Sequence, residues 1–288
     1  MSCAWYGSAE PGGPAAAPAT AFVLGGASNL GAMQVGMLEA LLERGVVPDV
    51  VVGCSAGALN GAAVALEPTL AGVHRLARLW LALTRADVWP TRPLITPLQL
   101  LRRRGAVNTN DGLRRVIESY VPPETTFADL ALPFACVATS LDTGRERWFT
   151  EGPLARAILA SAALPALFPP VEVDGEALID GATVNVVPIG KALELGATRL
   201  FLLQVRDVDA EPVRPRRPLD VLLRALAIAR NSRFAHELAS LPAGVEVHVL
   251  PVVSWPRLRY DGFSRTPQLI EGSRVAAHRY LEALHIGA

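Results

Sequence analysis

The stretch Val50-Val51-Val52-Gly53-Cys54-Ser55-Ala56-Gly57-Ala58-Leu59-Asn60 constrains this chain more than any other. Asp49-Val50-Val51-Val52 reads as a short buried strand, since an unalternated β-branched run suits a strand covered on both faces. Ala56 to Leu66 reads as a helix, so Gly53 to Gly57 must turn the corner between them. The pattern is G-x-S-x-G, the nucleophile elbow. Its glycines flank a sharp, close-packed turn, and Ser55 stands at a helix N-terminus, where amides and dipole favour developing negative charge. The five letters also suit a glycine-containing turn with an idle serine. The strand before and the helix after supply the context that favours a nucleophile.

With 288 residues, 51% of them apolar, the chain can bury one sizeable core in a single α/β domain. Its formal net charge is zero, so no bulk field argues for nucleic acid. Cys3, Cys54 and Cys136 are odd in number and far apart, which argues against a disulfide framework or a zinc site. Cys54 reads as a small packed residue whose side chain points away from that of Ser55. No His/Asp/Glu cluster has ligand spacing, so neither a metal nor another cofactor is expected. Residues 1–20 are rich in Ala, Gly, Pro and Ser, with no basic start and no apolar segment of signal-peptide length. They read as a disordered tail ahead of a domain spanning 21–288. No run reaches the roughly 18 apolar residues of a membrane-spanning helix. Together these features favour a cytoplasmic protein, one able to touch the inner membrane surface peripherally.

In chain order, Ala21 to Leu24 is a buried strand, broken by Gly25-Gly26-Ala27-Ser28-Asn29-Leu30-Gly31. A helix follows from about Ala32 to Arg44, stopped by Gly45. The glycine loop fails the Rossmann fingerprint, because Ser28 stands where the second glycine belongs, and it fails Walker A, because Ala32-Met33 replaces Lys-Ser/Thr. What survives is a loop whose backbone amides point at a site shared with Ser55, the construction of an oxyanion hole; a plain strand-to-helix turn is the alternative. Thr69 to Thr84 is a helix whose Val73, Leu76, Leu79, Trp80 and Leu83 form a core stripe. From Arg85 to Asn110 periodicity breaks up, and Leu98, Leu100 and Leu101 run into Arg102, Arg103 and Arg104. That segment suits a lid, a lipid-surface contact or simply a solvated helix end.

A helix begins at Asn110-Asp111, and a strand from Phe134 to Thr139 pairs back with Arg147-Trp148-Phe149. A small-residue helix runs from Leu154 to Ala163. Val171 to Val173 and Ala177 to Ile179 form a hairpin about Asp174-Gly175, a strong hairpin signal. Its second arm delivers Asp180-Gly181-Ala182, where the aspartate serves either a surface turn or chemistry. Downstream come a helix from Pro188 to Leu195, a strand from Arg199 to Val205, a charged loop from Arg206 to Pro218, a helix from Leu219 to Leu241, a strand from Val245 to Leu250 and a helix from Pro267 to Leu284. Strands alternating with helices predict a three-layer α/β/α fold around a mostly parallel central sheet.

Three pieces in this order resemble the patatin-like phospholipase family: the loop Gly25 to Gly31 continuing through Gln34 and Gly36, the elbow Gly53-Cys54-Ser55-Ala56-Gly57, and Asp180-Gly181-Ala182. The run Ala160 to Pro170 also resembles the segment preceding that family's aspartate. The similarity covers about Phe22 to Leu284. It implies a lipid acyl hydrolase with a patatin-like fold and a Ser/Asp dyad: Ser55 as nucleophile through an acyl-enzyme, Asp180 as general base, and loop amides at Gly25, Gly26 and Gly31 around the oxyanion. Gly53, Gly57, Gly181 and Ala182 would be motif residues, and a lipid or acyl ester the substrate. In this chain Ala27 and Ser28 occupy positions where the family carries glycine, and Leu30 the basic position. A side chain forced to φ > 0 there costs about 1 kcal/mol or more. Losing one oxyanion donor lowers turnover by roughly 10²-fold.

Two other readings compete. An α/β-hydrolase triad could combine Ser55, Asp180 and His278, although that fold places several strands before its elbow and only one precedes Ser55. A weakly active or inactive relative could bind lipid or acyl groups without cleaving them. His74, His236, His248 and His285 sit within helix or strand patterns and read as structural.

Overall fold

In a computed structural model, residues 19–88, 109–165, 167–205, 218–253 and 262–287 are described. Nearly all of the expected N-terminal tail, the arginine run at Arg102, Arg103 and Arg104, and nearly all of the loop after Arg206 lie outside them. Strand β1 (Thr20–Leu24) begins one residue inside the expected tail, because Thr20 is already paired with Arg199. It leads through the glycine loop into α1 (Gly31–Glu43), β2 (Val50–Cys54) and α2 (Ala56–Leu66). Next come α3 (Leu70–Ala82), capped by Thr69, and α4 (Arg85–Val88), a short helix where the sequence pattern shows none. After α5 (Asp111–Glu118) come β3 (Phe134–Ser140), β4 (Glu146–Phe149), α6 (Leu154–Ser161) and the hairpin of β5 (Val171–Val173) and β6 (Glu176–Asp180). The hairpin turn has φ of +53° at Asp174 and +82° at Gly175, the paired positive values that an Asp-Gly type I′ turn supplies. The chain closes with α7 (Ile189–Glu194), β7 (Arg199–Leu203), α8 (Pro218–Ala239), β8 (Glu246–Val249) and α9 (Thr266–Ala283).

Among the described residues, all eight strands join one sheet. Strands β3, β2, β1, β7 and β8 lie parallel in that order, and β4, β5 and β6 add antiparallel pairings beyond β3. The strands alternate strictly between two cores. Phe22, Leu24, Phe201 and Leu203 face one apolar layer, built with α1, α2, α3, α5, α6 and α9. Ala21, Val23, Leu200 and Leu202 face the other, where Ile189 and Ala192 of α7 and Phe234 of α8 cover them. Burial on both faces explains why these strands read as continuous apolar runs. The architecture is the three-layer α/β/α sandwich expected from the sequence. Among the described residues, no helix is long and apolar enough to cross a membrane.

The edge pairings of β3 carry the site. Strand β4 covers residues 136–139 of β3 on one edge. The other edge is therefore shared: β2 pairs with its first half, ending at Cys54 opposite Val137, and β6 pairs with its second half, with Asp180 opposite Ala138. Two strands thus end head to head on adjacent residues of a third.

Helix α1 approaches α9 closely at Gly36, where an added Cβ would lie 2.0 Å from the Ile270 carbonyl oxygen. Relief would require backbone movement. Gly36→Ala is expected to destabilise the fold by about 1–3 kcal/mol, the usual cost of overpacking, as measured by chemical denaturation; a wild-type midpoint would contradict this packing.

Candidate active site

Ser55 sits where β2 turns into α2, with φ +56° and ψ −124°. A non-glycine residue held there stores about 1–3 kcal/mol of strain. The neighbouring glycines make the turn possible. A Cβ on Gly53 would lie 2.5 Å from the Gly57 carbonyl oxygen, and one on Gly57 would lie 2.2 Å from that of Leu24. The elbow is braced from below: the Ser55 amide donates to Ser161 Oγ at 2.9 Å, and that hydroxyl donates to the Val137 carbonyl at 2.6 Å.

Asp180 ends β6 with no solvent exposure. Its amide donates to the Ala163 carbonyl at 2.9 Å, its carbonyl accepts from Thr139 Oγ1 at 3.0 Å, and its Oδ1 accepts from the Ala182 amide at 2.8 Å. Gly181 is obligatory here, because a Cβ would fall 2.1 Å from the Val137 carbonyl oxygen. With one carboxylate oxygen anchored, the other meets the elbow. Ser55 Oγ donates to Asp180 Oδ2 at 2.6 Å, across 125 residues of sequence.

An apolar cavity opens on Ser55. Ser28 and Asn29 also line it, and its apolar walls include Leu59, Trp80, Val116, Ile117, Ile158, Phe168 and Phe263. Such a slot suits a hydrocarbon chain and offers little to a polar ligand.

The sequence match fits this geometry. Residues 22–193, more than half of the chain, match the family model for patatin-like phospholipase. The chain belongs to the patatin-like phospholipase family. Among its relatives, an uncharacterised NTE family protein of Mycobacterium tuberculosis is 29% identical over 201 residues, covering 70% of this chain and 53% of that protein. Patatin-like phospholipase domain-containing protein 6 of Homo sapiens is 31% identical over 191 residues, 66% of this chain and 13% of that protein. Lysophospholipase NTE1 of Mycosarcoma maydis is 31% identical over 187 residues, 65% of this chain and 10% of that one. The chain thus spans about half the length of the mycobacterial relative and far less of the other two. Among solved structures, VipD from Legionella pneumophila shares the fold at a TM-score of 0.50 with 15% identity, over 93% of this chain and 67% of that one.

The family resemblance leads one to expect oxyanion donors at Gly25, Gly26 and Gly31; in the structure all three amides already have partners. The Gly25 amide already donates to the Leu203 carbonyl at 3.2 Å, that of Gly26 to Val186 at 2.8 Å, and that of Gly31 to Ser28. These glycines serve close packing instead: a Cβ on Gly26 would lie 2.9 Å from Ala182 Cβ, and one on Gly31 would lie 2.6 Å from the Trp80 ring. The Ala27 amide, by contrast, donates to no acceptor among the described residues. The strain anticipated for this patatin-like loop falls on Ser28, at φ +52°, while Ala27 has φ −132°.

Ser161 was not singled out from the sequence. Its one signal is its place in the small-residue run before Pro165, and only the fold shows that it holds the elbow amide. His278 lies elsewhere, bonded to Glu43 at the far end of α1. Gly31, at the near end, packs beside Ala56. At 1.5 Å per residue those ends are about 18 Å apart, which removes His278 from any triad. Among the described residues, no group of His, Cys, Asp or Glu could hold a metal ion.

Cys54 packs with Val137 and Ala182, and burial pushes its thiol well above the usual range, with the Asp180 charge adding to the effect. Burial raises Cys136 as well. Neither thiol should react with a disulfide reagent at neutral pH until the protein unfolds; rapid labelling of either in the native state would contradict this. Ser161→Ala leaves both the Ser55 amide and the Val137 carbonyl without their partner. It should destabilise the protein by about 1–3 kcal/mol, measured in urea.

Proposed function

We propose that this chain is a serine acyl hydrolase that cleaves carboxylic esters of lipids through Ser55 and Asp180. The observation that carries this reading is the 2.6 Å hydrogen bond from Ser55 Oγ to Asp180 Oδ2, with Ser55 lining an apolar cavity. A hydroxyl is a weak nucleophile until a base takes its proton, and a buried carboxylate within hydrogen-bond reach can do so directly.

In the proposed reaction the acyl chain lies along the apolar walls and its carbonyl carbon reaches Ser55. As Oγ attacks, its proton passes to Asp180 Oδ2. The negative charge gathers on the former carbonyl oxygen, where the Ala27 amide and the first amides of α2 serve as donors. Collapse of this intermediate breaks the ester C–O bond, and the leaving alkoxide takes the proton from Asp180. Water then repeats the sequence on the acyl-enzyme, with Asp180 again as base, releasing the fatty acid and restoring Ser55. Anchoring of Asp180 Oδ1 by the Ala182 amide keeps Oδ2 aimed at the serine.

The test is release of p-nitrophenol from long-chain p-nitrophenyl esters, followed by lipid profiling with phospholipid and glyceride substrates. Ser55→Ala should abolish turnover above background, and Asp180→Asn should lower it by about 10²–10⁴-fold. Equal rates for wild type and Ser55→Ala would exclude the reading. A fluorophosphonate probe should label Ser55; absence of labelling favours a non-catalytic acyl binder.

A further inference from the structure

Gln34 and Asn60 are fully buried, and neither takes part in the Ser55–Asp180 pair. Two buried primary amides are tolerated only when their donors and acceptors are met. Here they are met by one another and by four fixed partners. Trp80 Nε1 donates to Asn60 Oδ1 at 2.8 Å. Asn60 Nδ2 donates to Gln34 Oε1 at 2.8 Å and to the Gly31 carbonyl at 3.0 Å. Gln34 Nε2 donates to the carbonyls of Gly25 and Leu203, each at 2.8 Å. The direction of this chain of bonds is settled at both ends. An indole N–H only donates and a carbonyl oxygen only accepts, so neither amide can be turned around without losing bonds at both ends.

The chain begins at Trp80 in the cavity wall and ends at Gly25, where the loop leaves β1. Gly25 is held there a second time by its own amide on the Leu203 carbonyl, and Gly26 by its amide on Val186. The peptide groups on either side of Gly25 are thus locked, one residue before the peptide that carries the Ala27 amide.

We propose that Gln34 and Asn60 are positioning residues: they lock the glycine loop so that the Ala27 amide is presented to the oxyanion, and they tie that setting to the cavity wall at Trp80. The proposal rests on the acyl hydrolase reading above. Neither side chain touches substrate or moves a proton. Their contribution is the orientation of a donor that acts in the transition state, so their loss lowers kcat and leaves KM alone.

The experiment measures kcat and KM on p-nitrophenyl esters for wild type, Ser55→Ala, Gln34→Met, Gln34→Glu, Trp80→Phe and the double variant Gln34→Met/Trp80→Phe. Circular dichroism at each pH verifies folding. Gln34→Met fills the same space with no polar atoms that can hold the loop. Its kcat should fall on the order of 10²-fold, the cost of a misplaced catalytic group, with KM unchanged. Gln34→Glu supplies a further readout. As a neutral acid it keeps one O–H donor, but once ionised it faces the Gly25 and Leu203 carbonyl oxygens with negative charge. Its kcat should therefore fall as pH rises, along a limb absent from wild type and Gln34→Met. Trp80→Phe removes the first donor of the chain, so its effect on kcat combined with Gln34→Met should be smaller than the product of the two alone.

A folded Gln34→Met with wild-type kcat, or with a loss confined to KM, overturns the proposal. So does a flat pH profile for Gln34→Glu, which also decides the matter if Gln34→Met fails to fold. Equal rates for wild type and Ser55→Ala would refute the hydrolase reading itself, a result distinct from retained activity in Gln34→Met.

Discussion

One edge of β3 is occupied by two strands that run toward each other, and the rest of the site follows from where they stop. Strand β2 ends at Cys54 opposite Val137, and β6 ends at Asp180 opposite Ala138. Adjacent residues of a strand are about 3.3 Å apart along its axis, so β3 acts as a ruler that places the residue after β2 beside the last residue of β6. The Ser55–Asp180 hydrogen bond is then a matter of local geometry rather than of long flexible reach. Ser161, Thr139 and Gly181 all act at this junction, each through the backbone of β3 or β6 or the elbow amide. Their contacts explain how a sharply strained turn and a fully buried carboxylate hold a fixed relation.

The two serines of the site share an uncommon backbone. Ser28 and Ser55 have φ of +52° and +56°, values that L-residues seldom adopt. At Ser55 the surrounding structure overdetermines the conformation, because glycines on both sides let α2 press against the backbone of Leu24 and Gly25. The loop and the elbow are therefore in direct contact, and Gly57 of the elbow is the residue that permits it. Gly26 plays the same part against Ala182, which ties the loop to the turn after Asp180.

The local parts of this structure were legible in the sequence. The valine run before Gly53, the small-residue helix after Ser55 and the Asp174-Gly175 turn each carry a short-range signal, and each element formed within a residue or two of its expected bounds. The order of the motifs was enough to pair Ser55 with Asp180. What could not be read was where backbone amides spend their hydrogen bonds. The Gly25 and Gly26 amides are consumed by carbonyls of Leu203 and Val186, partners more than 150 residues away in the chain that no periodicity or motif announces. The same holds for Gln34 and Asn60. On helices whose residues are buried nearly all round, they read as ordinary interruptions of an apolar face until the fold brings Trp80, Gly25 and Leu203 around them.

The Leu203 carbonyl has an implication for synthesis. It accepts from both the Gly25 amide and Gln34 Nε2, yet it belongs to β7, which the ribosome makes after every residue of the elbow and of the aspartate turn. A nascent chain released only as far as Asp180 holds the serine and its carboxylate but has no strand on the outer flank of β1 to set the loop. Setting of the glycine loop therefore waits for that flank to close, although β2, β3 and β6, which bring Ser55 to Asp180, are already made.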